Sequence, residues 1–355
     1  MAQCSMDAYP VVDLFCGVGG LTHGFIKEGF DVRAGIDSDP SCEYAFEANN
    51  PNSTFINKKI EDVKISEIEG LYPSETPKIL IGCAPCQPFS SYTNSQPQDK
   101  KKWSLLAKFL EVIEQLLPDV VSMENVVRLR TFRNGEVLND FVNKLRELGY
   151  SVSVNEVFCP SYGIPQNRTR LVLLASIHGE IGLVRETHTY DNFVTVRDTI
   201  EYLPAIRAGE SHPDDRLHYA SSLSPLNKRR IQASIPGRTW RDWSDNLVAD
   251  CHKKDSGKTF PSVYGRMEWD KPSPTITTQF YGFGNGRFGH PEQDRAISIR
   301  EAALLQTFPE EYDFVSPDCE VHIKTVGRHI GNAVPVELGK IISRSIRLHL
   351  ETSNV

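Results

Sequence analysis

No stretch of the 355-residue chain approaches the apolar length of a membrane span, and residues 1–7 carry neither the basic nor the apolar block of a secretion signal. Both absences predict a cytoplasmic protein with no membrane partner, nucleoid-associated if its source is prokaryotic. The eight cysteines lack regular spacing, which argues against a disulfide framework and for free thiols in a reducing compartment. Positive charge is not in excess. The formal net charge is −7, so a nucleic-acid partner would have to be held by local basic patches. Internal repeats and low-complexity tracts are also missing. What remains is an ordinary globular profile, 39% hydrophobic and 24% charged, long enough for one large domain and a smaller one.

The first organised stretch is a buried-strand pattern over 11–15, the turn Cys16-Gly17-Val18-Gly19-Gly20, and a helix over 21–28. Bare backbone in such a turn lets a ligand approach closely. The dinucleotide fingerprint wants a third glycine where Thr22 stands, so a nicotinamide site is not expected. A second strand, 31–36, ends at Asp37, about 20 residues after the turn, where an acid can accept from ribose hydroxyls. Asp62 follows a third strand pattern, 55–60, and could take an adenine amino group. A helix cap or a solvated loop acid is the plainer reading of each aspartate alone.

An apolar strand, 79–81, leads into Gly82-Cys83-Ala84-Pro85-Cys86-Gln87-Pro88-Phe89-Ser90 and then Lys100, Lys101 and Lys102. That describes a nucleophile, Cys86, leaving a strand ahead of a loop able to close over a polyanion. Cys83 and Cys86 also form a CxxC. With Cys319 and His322 it could be half of a zinc site, or it could be a redox pair; a single CxxC interrupted by proline argues against both. Packing is the reading preferred for Cys16 and Cys83. A helix over 103–117 and a strand over 119–123 follow. Glu124 is expected at the strand's end, placed to give a proton. A helix over 136–148 and a strand over 151–158 continue the α/β alternation. Arg168 and Arg170, two apart on extended chain before the strand 171–175, are expected to point the same way.

Between about 185 and 325 the periodicity weakens, and Pro, Gly, Ser, Arg and aromatics interleave, as in 227–230, 238–243 and 281–287. Such a region suits reading groove edges and phosphates, with a partnerless loop-rich insertion as the alternative. A helix over 300–307 stands out. A closing helix, 336–350, is expected to pack back on the first domain.

Six ordered segments resemble the DNA (cytosine-5)-methyltransferases over nearly the whole chain. They are Asp13-Leu14-Phe15-Cys16-Gly17-Val18-Gly19-Gly20, Pro85-Cys86-Gln87, Glu124-Asn125-Val126, Gln166-Asn167-Arg168-Thr169-Arg170, the helix from Arg300 to Pro309, and Gly331-Asn332-Ala333-Val334-Pro335. The resemblance implies an α/β, Rossmann-like, S-adenosylmethionine-dependent domain over 1–185 plus 326–355. A smaller, irregular, β-rich target recognition domain would span 186–325. It implies Cys86, Glu124, Arg168 and Arg170 as catalytic residues and no metal. Phe15, Gly17, Val18, Gly19, Gly20, Asp37, Ser38, Asp62, Val63, Pro85, Asn332 and Val334 would hold S-adenosylmethionine. Gln87, Ser90, Lys100, Lys101, Thr277, Tyr281, Gly282 and Arg287 would meet double-stranded DNA. The expected enzyme is compact, prokaryotic-type and monomeric. It would be the modification partner of a restriction endonuclease that shares its site without a stable complex. A tRNA methyltransferase on the same scaffold is the alternative; the Cys-Phe-Thr element usual in that relative is not found after the acid motif.

Overall fold

The structure, a computed structural model, describes residues 9–85 and 104–353. In chain order the elements are β1 (Pro10–Leu14), α1 (Gly20–Lys27), β2 (Asp31–Asp37), α2 (Glu43–Asn49), β3 (Thr54–Asn57), α3 (Ile65–Glu69), β4 (Ile79–Gly82), α4 (Ser104–Leu116), β5 (Val120–Val126), α5 (Glu136–Glu147), β6 (Ser151–Phe158), β7 (Gln166–Asn167), β8 (Thr169–Ser176), α6 (Val196–Ile200), β9 (Ser211–His212), β10 (Asp215–Tyr219), α7 (Pro225–Ala233), α8 (Asp250–Lys253), β11 (Ser273–Pro274), α9 (Ile299–Leu305), α10 (Ile323–Asn332) and α11 (Val336–Thr352). The chain divides into two compact units. One takes Met1–Phe158, Thr169–Glu186 and Val334–Val355; the other takes Cys159–Arg168 and Thr187–Ala333.

The first unit is built on a seven-stranded sheet of order β3-β2-β1-β4-β5-β8-β6. The pairs from β3 to β5 are parallel, and β8 runs antiparallel to both neighbours. Parallel strands covered on both faces read as unbroken apolar runs rather than alternating ones, and β1 and β4 are buried at every position. Apolar side chains of α4 and α5, among them Phe109, Ile113, Phe141 and Leu145, close the core against β4, β5 and β8. The closing helix does return to the start of the chain. Gly24 of α1 and Gly339 of α11 lie against each other, and a Cβ on Gly24 would come within 2.7 Å of the Gly339 Cα.

In the second unit regular structure is sparse. The expected irregularity is there, but the β content is small: two two-stranded ladders, β10-β9 and β11-β7, and three isolated bridges. Strand runs stop early because proline and glycine punctuate them; Pro274, in β11, has no N–H to give. Order comes instead from a buried polar cluster at the start of α9. Ser298 and Glu301 form a reciprocal capping box, and Arg295 Nη1 and Nη2 donate to the two Glu301 oxygens at 2.7 and 2.6 Å. His290 Nε2 lies 3.6 Å from Glu301 Oε1.

Burial alone would push the Glu301 carboxyl up, but the Arg295 charge and hydrogen bonds bring it down to about 2. Burial drives His290 down to about 4, against the pull of Glu301. Both groups are lower in the folded than in the unfolded chain, so both contribute stability at neutral pH that is lost on acidification. For His290 the loss runs from about pH 6.5 to 4, and for Glu301 from about 4.5 to 2. Asp13 and Asp37, whose carboxyls are raised on folding, act in the opposite sense, so the His290 contribution is read as a difference. Urea denaturation of the parent and of a His290→Asn chain at pH 7, 5 and 4 should show the parent losing a few kcal/mol relative to the variant on acidification, because each tenfold change in proton affinity on folding is worth about 1.4 kcal/mol.

Candidate active site

The parallel strands of the first unit end on one edge of the sheet, and their order reverses between β1 and β4. Ligands of open α/β sheets bind at such a carboxyl-end switch point. Here that edge gathers the glycine turn after β1, Asp37 at the end of β2, Cys83 to Pro85 after β4, and Glu124 on β5.

At the glycine turn, Phe15 and Gly17 take left-handed φ of 62° and 52°. Phe15 is not glycine, so that conformation carries strain, held here by the Phe15 N–H donating to the Ile36 carbonyl at 2.8 Å. Its ring meets Phe109 edge-on at 6.3 Å. A Cβ added to Gly17 would meet nothing within 4 Å, so its backbone faces open space. The Gly17 N–H donates to Asp37 Oδ2 and the Asp39 N–H to Asp37 Oδ1, each at 2.9 Å. One carboxylate therefore ties the turn to the loop after β2, with lone pairs left for hydroxyl donors. Desolvation raises its pKa above the usual carboxylate value, against the two amide bonds.

Thr22, the residue that breaks the dinucleotide fingerprint, has a local task. Its hydroxyl donates at 2.7 Å to Oδ2 of Asp13, a fully buried acid beneath the turn. Burial pushes the Asp13 pKa up to about 7, opposed by the Thr22 bond and helped by the Asp37 charge. Val18 is buried, and Gly19 (φ 84°) caps α1, which opens with Gly20. Ser38 and Asp62 are exposed, and Val63 is half-buried. Open backbone, a desolvated acid with spare lone pairs and a partly buried phenyl ring fit an adenosine-type ligand.

At the other half of the edge, Glu124 is 2% exposed. It lies inside β5 rather than at its end, because β8 continues the ladder to the Val126↔Arg170 pair. Two residues before Val172, Glu124's own partner in that ladder, Arg170 places its Nε 3.1 Å from Glu124 Oε1. The Cys83 thiol donates to Glu124 Oε2 at 2.7 Å. The packing role expected of Cys83 is thus replaced by a polar one. Cys16 is buried as expected, its thiol 3.6 Å from the Gly17 carbonyl oxygen. Asn125 Nδ2 donates to the Ala84 carbonyl at 3.1 Å, which anchors the chain two residues before Cys86. No role for Asn125 follows from the sequence, since its partner is 41 residues away. Cys86, Gln87, Ser90, Lys100 and Lys101 lie outside the described residues.

In the second unit, Gln166 Nε2 donates to the Leu305 carbonyl and to Gln306 Oε1, and Gln166 Oε1 accepts from the Ile276 N–H. Arg168 Nη1 lies 3.4 Å from Gln306 Oε1. Gln306 Nε2 reaches the Ile330 carbonyl at 2.6 Å. Gln306 is a hub that sequence reasoning missed: one amide holds the arginine motif, the end of α9 and the last turn of α10. Asn332 ends α10 and is exposed, whereas Val334 is buried. Thr277 is exposed and Tyr281 and Gly282 half-buried, in a loop pressed against Gly327 and Gly331 of α10.

Arg287 donates to the Arg238 carbonyl at 2.8 Å and is half-buried, and that desolvation lowers its pKa. In the run around Trp240 and Trp243, expected to read grooves, the indoles are core, whereas Arg238 and Arg241 are exposed. Both indoles are buried, Trp240 stacks on His252 at 4.5 Å, and Arg230 lies over Trp243 and Tyr264.

Comparison with known proteins gives the family and a matching fold. Residues 9–347 match the family described as C-5 cytosine-specific DNA methylase. The chain is 57% identical over 341 residues to the Type II methylase M.HgiDII of Herpetosiphon aurantiacus, covering 96% of each. It is 29% identical to the Type II methyltransferase M.PspPI of a Psychrobacter species, covering 98% of this chain and 80% of that one. A putative DNA modification methyltransferase from an E. coli prophage has a similar fold, with a TM-score of 0.75 over 97% of this chain and 100% of that one, at 22% identity.

Proposed function

The chain belongs to the C-5 cytosine-specific DNA methylases and is a DNA (cytosine-5)-methyltransferase, and from that premise we propose how its own side chains carry the reaction. The observation that supports the reading best is the buried Glu124 carboxyl, with Arg170 and Cys83 on it, at the strand edge where Pro85 precedes Cys86. Cytosine C5 is a weak nucleophile until C6 carries an added group. The Cys86 thiolate adds to C6 while Glu124 gives its proton to N3, leaving C5 enamine-like. Arg170 binds the ring's O2, and Arg168 holds the pocket in shape. When bound, S-adenosylmethionine would supply the methyl group to C5, its S–CH3 bond breaking and its sulfonium leaving as the neutral thioether S-adenosylhomocysteine. A base then removes the C5 proton, the C6–S bond breaks, and the N3 proton returns to Glu124.

S-adenosylmethionine would be held by Phe15, Gly17 to Gly20, Asp37, Ser38, Asp62, Val63, Pro85, Asn332 and Val334. C5 of a stacked base is out of reach, so the cytosine is flipped out, at a cost of a few kcal/mol. Gln87, Ser90, Lys100 and Lys101 offset that cost by filling the gap and neutralising phosphates. Thr277, Tyr281, Gly282 and Arg287 meet the groove from a target recognition region over 186–325. The enzyme acts as a cytoplasmic monomer, the modification half of a restriction-modification pair, without a stable endonuclease complex.

With methyl-tritiated S-adenosylmethionine, label should enter duplex DNA at cytosine C5 within a defined sequence, and not tRNA. Label in tRNA alone would transfer the reading to RNA.

A further inference from the structure

Glu124 is one of the most enclosed ionisable groups at the sheet edge, 2% exposed. A carboxyl so buried needs directed partners on its oxygens. Among the described residues they are unequal. Oε2 accepts a hydrogen bond from the Cys83 thiol at 2.7 Å. Oε1 lies 3.1 Å from Arg170 Nε, within ion-pair distance, yet makes no hydrogen bond of acceptable geometry. The thiol is therefore the directed contact that sets the rotation of the carboxyl plane, and Arg170 supplies charge beside it. Cys83 is itself well held. Its backbone N–H donates to the Leu14 carbonyl at 3.3 Å, straight off the end of β4, and the next residue, Ala84, is anchored through Asn125. A residue that only filled space would have no reason to aim its sulfur at a buried carboxylate oxygen.

We propose that Cys83 is a positioning residue for the methyl transfer. Its S–H pins Glu124 Oε2 and so fixes the carboxyl plane from which Glu124 delivers its proton to the cytosine ring. The role rests on the reading of Glu124 as the acid. It acts through Glu124 and touches neither the base nor the methyl donor. A hydroxyl at the same place can make the same bond; a methyl cannot.

The test compares Cys83→Ala, Cys83→Ser and Glu124→Gln in the full chain, with single-turnover rates on duplex DNA, KM for DNA and S-adenosylmethionine binding. Loss of a hydrogen bond to a charged group is expected to slow Cys83→Ala about tenfold, with KM and donor binding within about twofold. Cys83→Ser should recover to within about threefold of the parent. Parental rates in Cys83→Ala overturn the proposal. So does equal impairment of the Ala and Ser chains, which would mark a volume effect. Glu124→Gln separates the layers. If it is inactive while Cys83→Ala is unimpaired, only the positioning role fails. If Glu124→Gln keeps its rate, the acid assignment falls and this inference falls with it.

Discussion

A Cys86→Ala protein is expected to lose methyl transfer by on the order of 10⁴-fold or more, with S-adenosylmethionine binding unchanged and duplex binding kept within a few-fold. Without the sulfur no atom adds to C6, and C5 keeps the poor nucleophilicity of an intact pyrimidine. Removing an attacking group commonly costs this much, because the rest of the site cannot supply its bond. The surroundings should survive the change. The approach to residue 86 is set by β4 and by the Asn125 bond to the Ala84 carbonyl, neither of which involves the thiol. Single-turnover methylation with isothermal titration of the donor would show a rate effect without a binding effect.

Glu124→Gln is expected to fall next hardest, by about 10²- to 10⁴-fold in the single-turnover rate, the usual worth of a positioned general acid. Glutamine matches the shape and can still accept the Cys83 bond through its amide oxygen. It cannot release a proton to N3, and it forms no carboxylate for Arg170 to face once the transfer is made. KM for DNA should move little, since the lost interaction belongs to the transition state. A KM effect of the same size as the rate effect would instead mean that Glu124 serves substrate binding.

Much of the first unit is legible in the chain. Unbroken apolar runs bounded by glycine and proline give β1, β4 and β5, and the 3.6-residue stripe gives α4 and α5. The places where reading and structure part have local causes. The third strand stops at Asn57, because the Lys58 N–H turns to the Ile56 and Asp37 carbonyls. Glu124 reads as a strand terminus only while β8, more than forty residues on, is left out of the ladder. Helix α10 is not expected from the sequence at all. It contains Gly327 and Gly331, poor helix formers, and it is sustained by close packing against Tyr281, Thr277 and Thr278.

The site shows the same division. Motif residues that work through their own backbone, such as Gly17, or at the end of their own strand, such as Asp37, can be placed from spacing. Cys83 and Gln306 work through partners 41 and up to 140 residues away, and no local pattern announces them. Part of the aromatic and basic texture of the second unit is spent on packing for a related reason. Arg230, Trp240 and Trp243 are buried in one cluster of the fold, while Lys228, Arg229, Arg238 and Arg241 of the same segments are exposed.

The most direct test of the covalent step uses duplex DNA carrying 5-fluorocytosine at the methylated position. Fluorine at C5 cannot leave as a proton does, so the adduct should stay closed. Protein and DNA incubated with S-adenosylmethionine should run as one band through denaturing electrophoresis, and peptide mapping should place the bond on Cys86. Methyl incorporation into the unmodified sequence without any trapped complex on the fluorinated one would contradict the account.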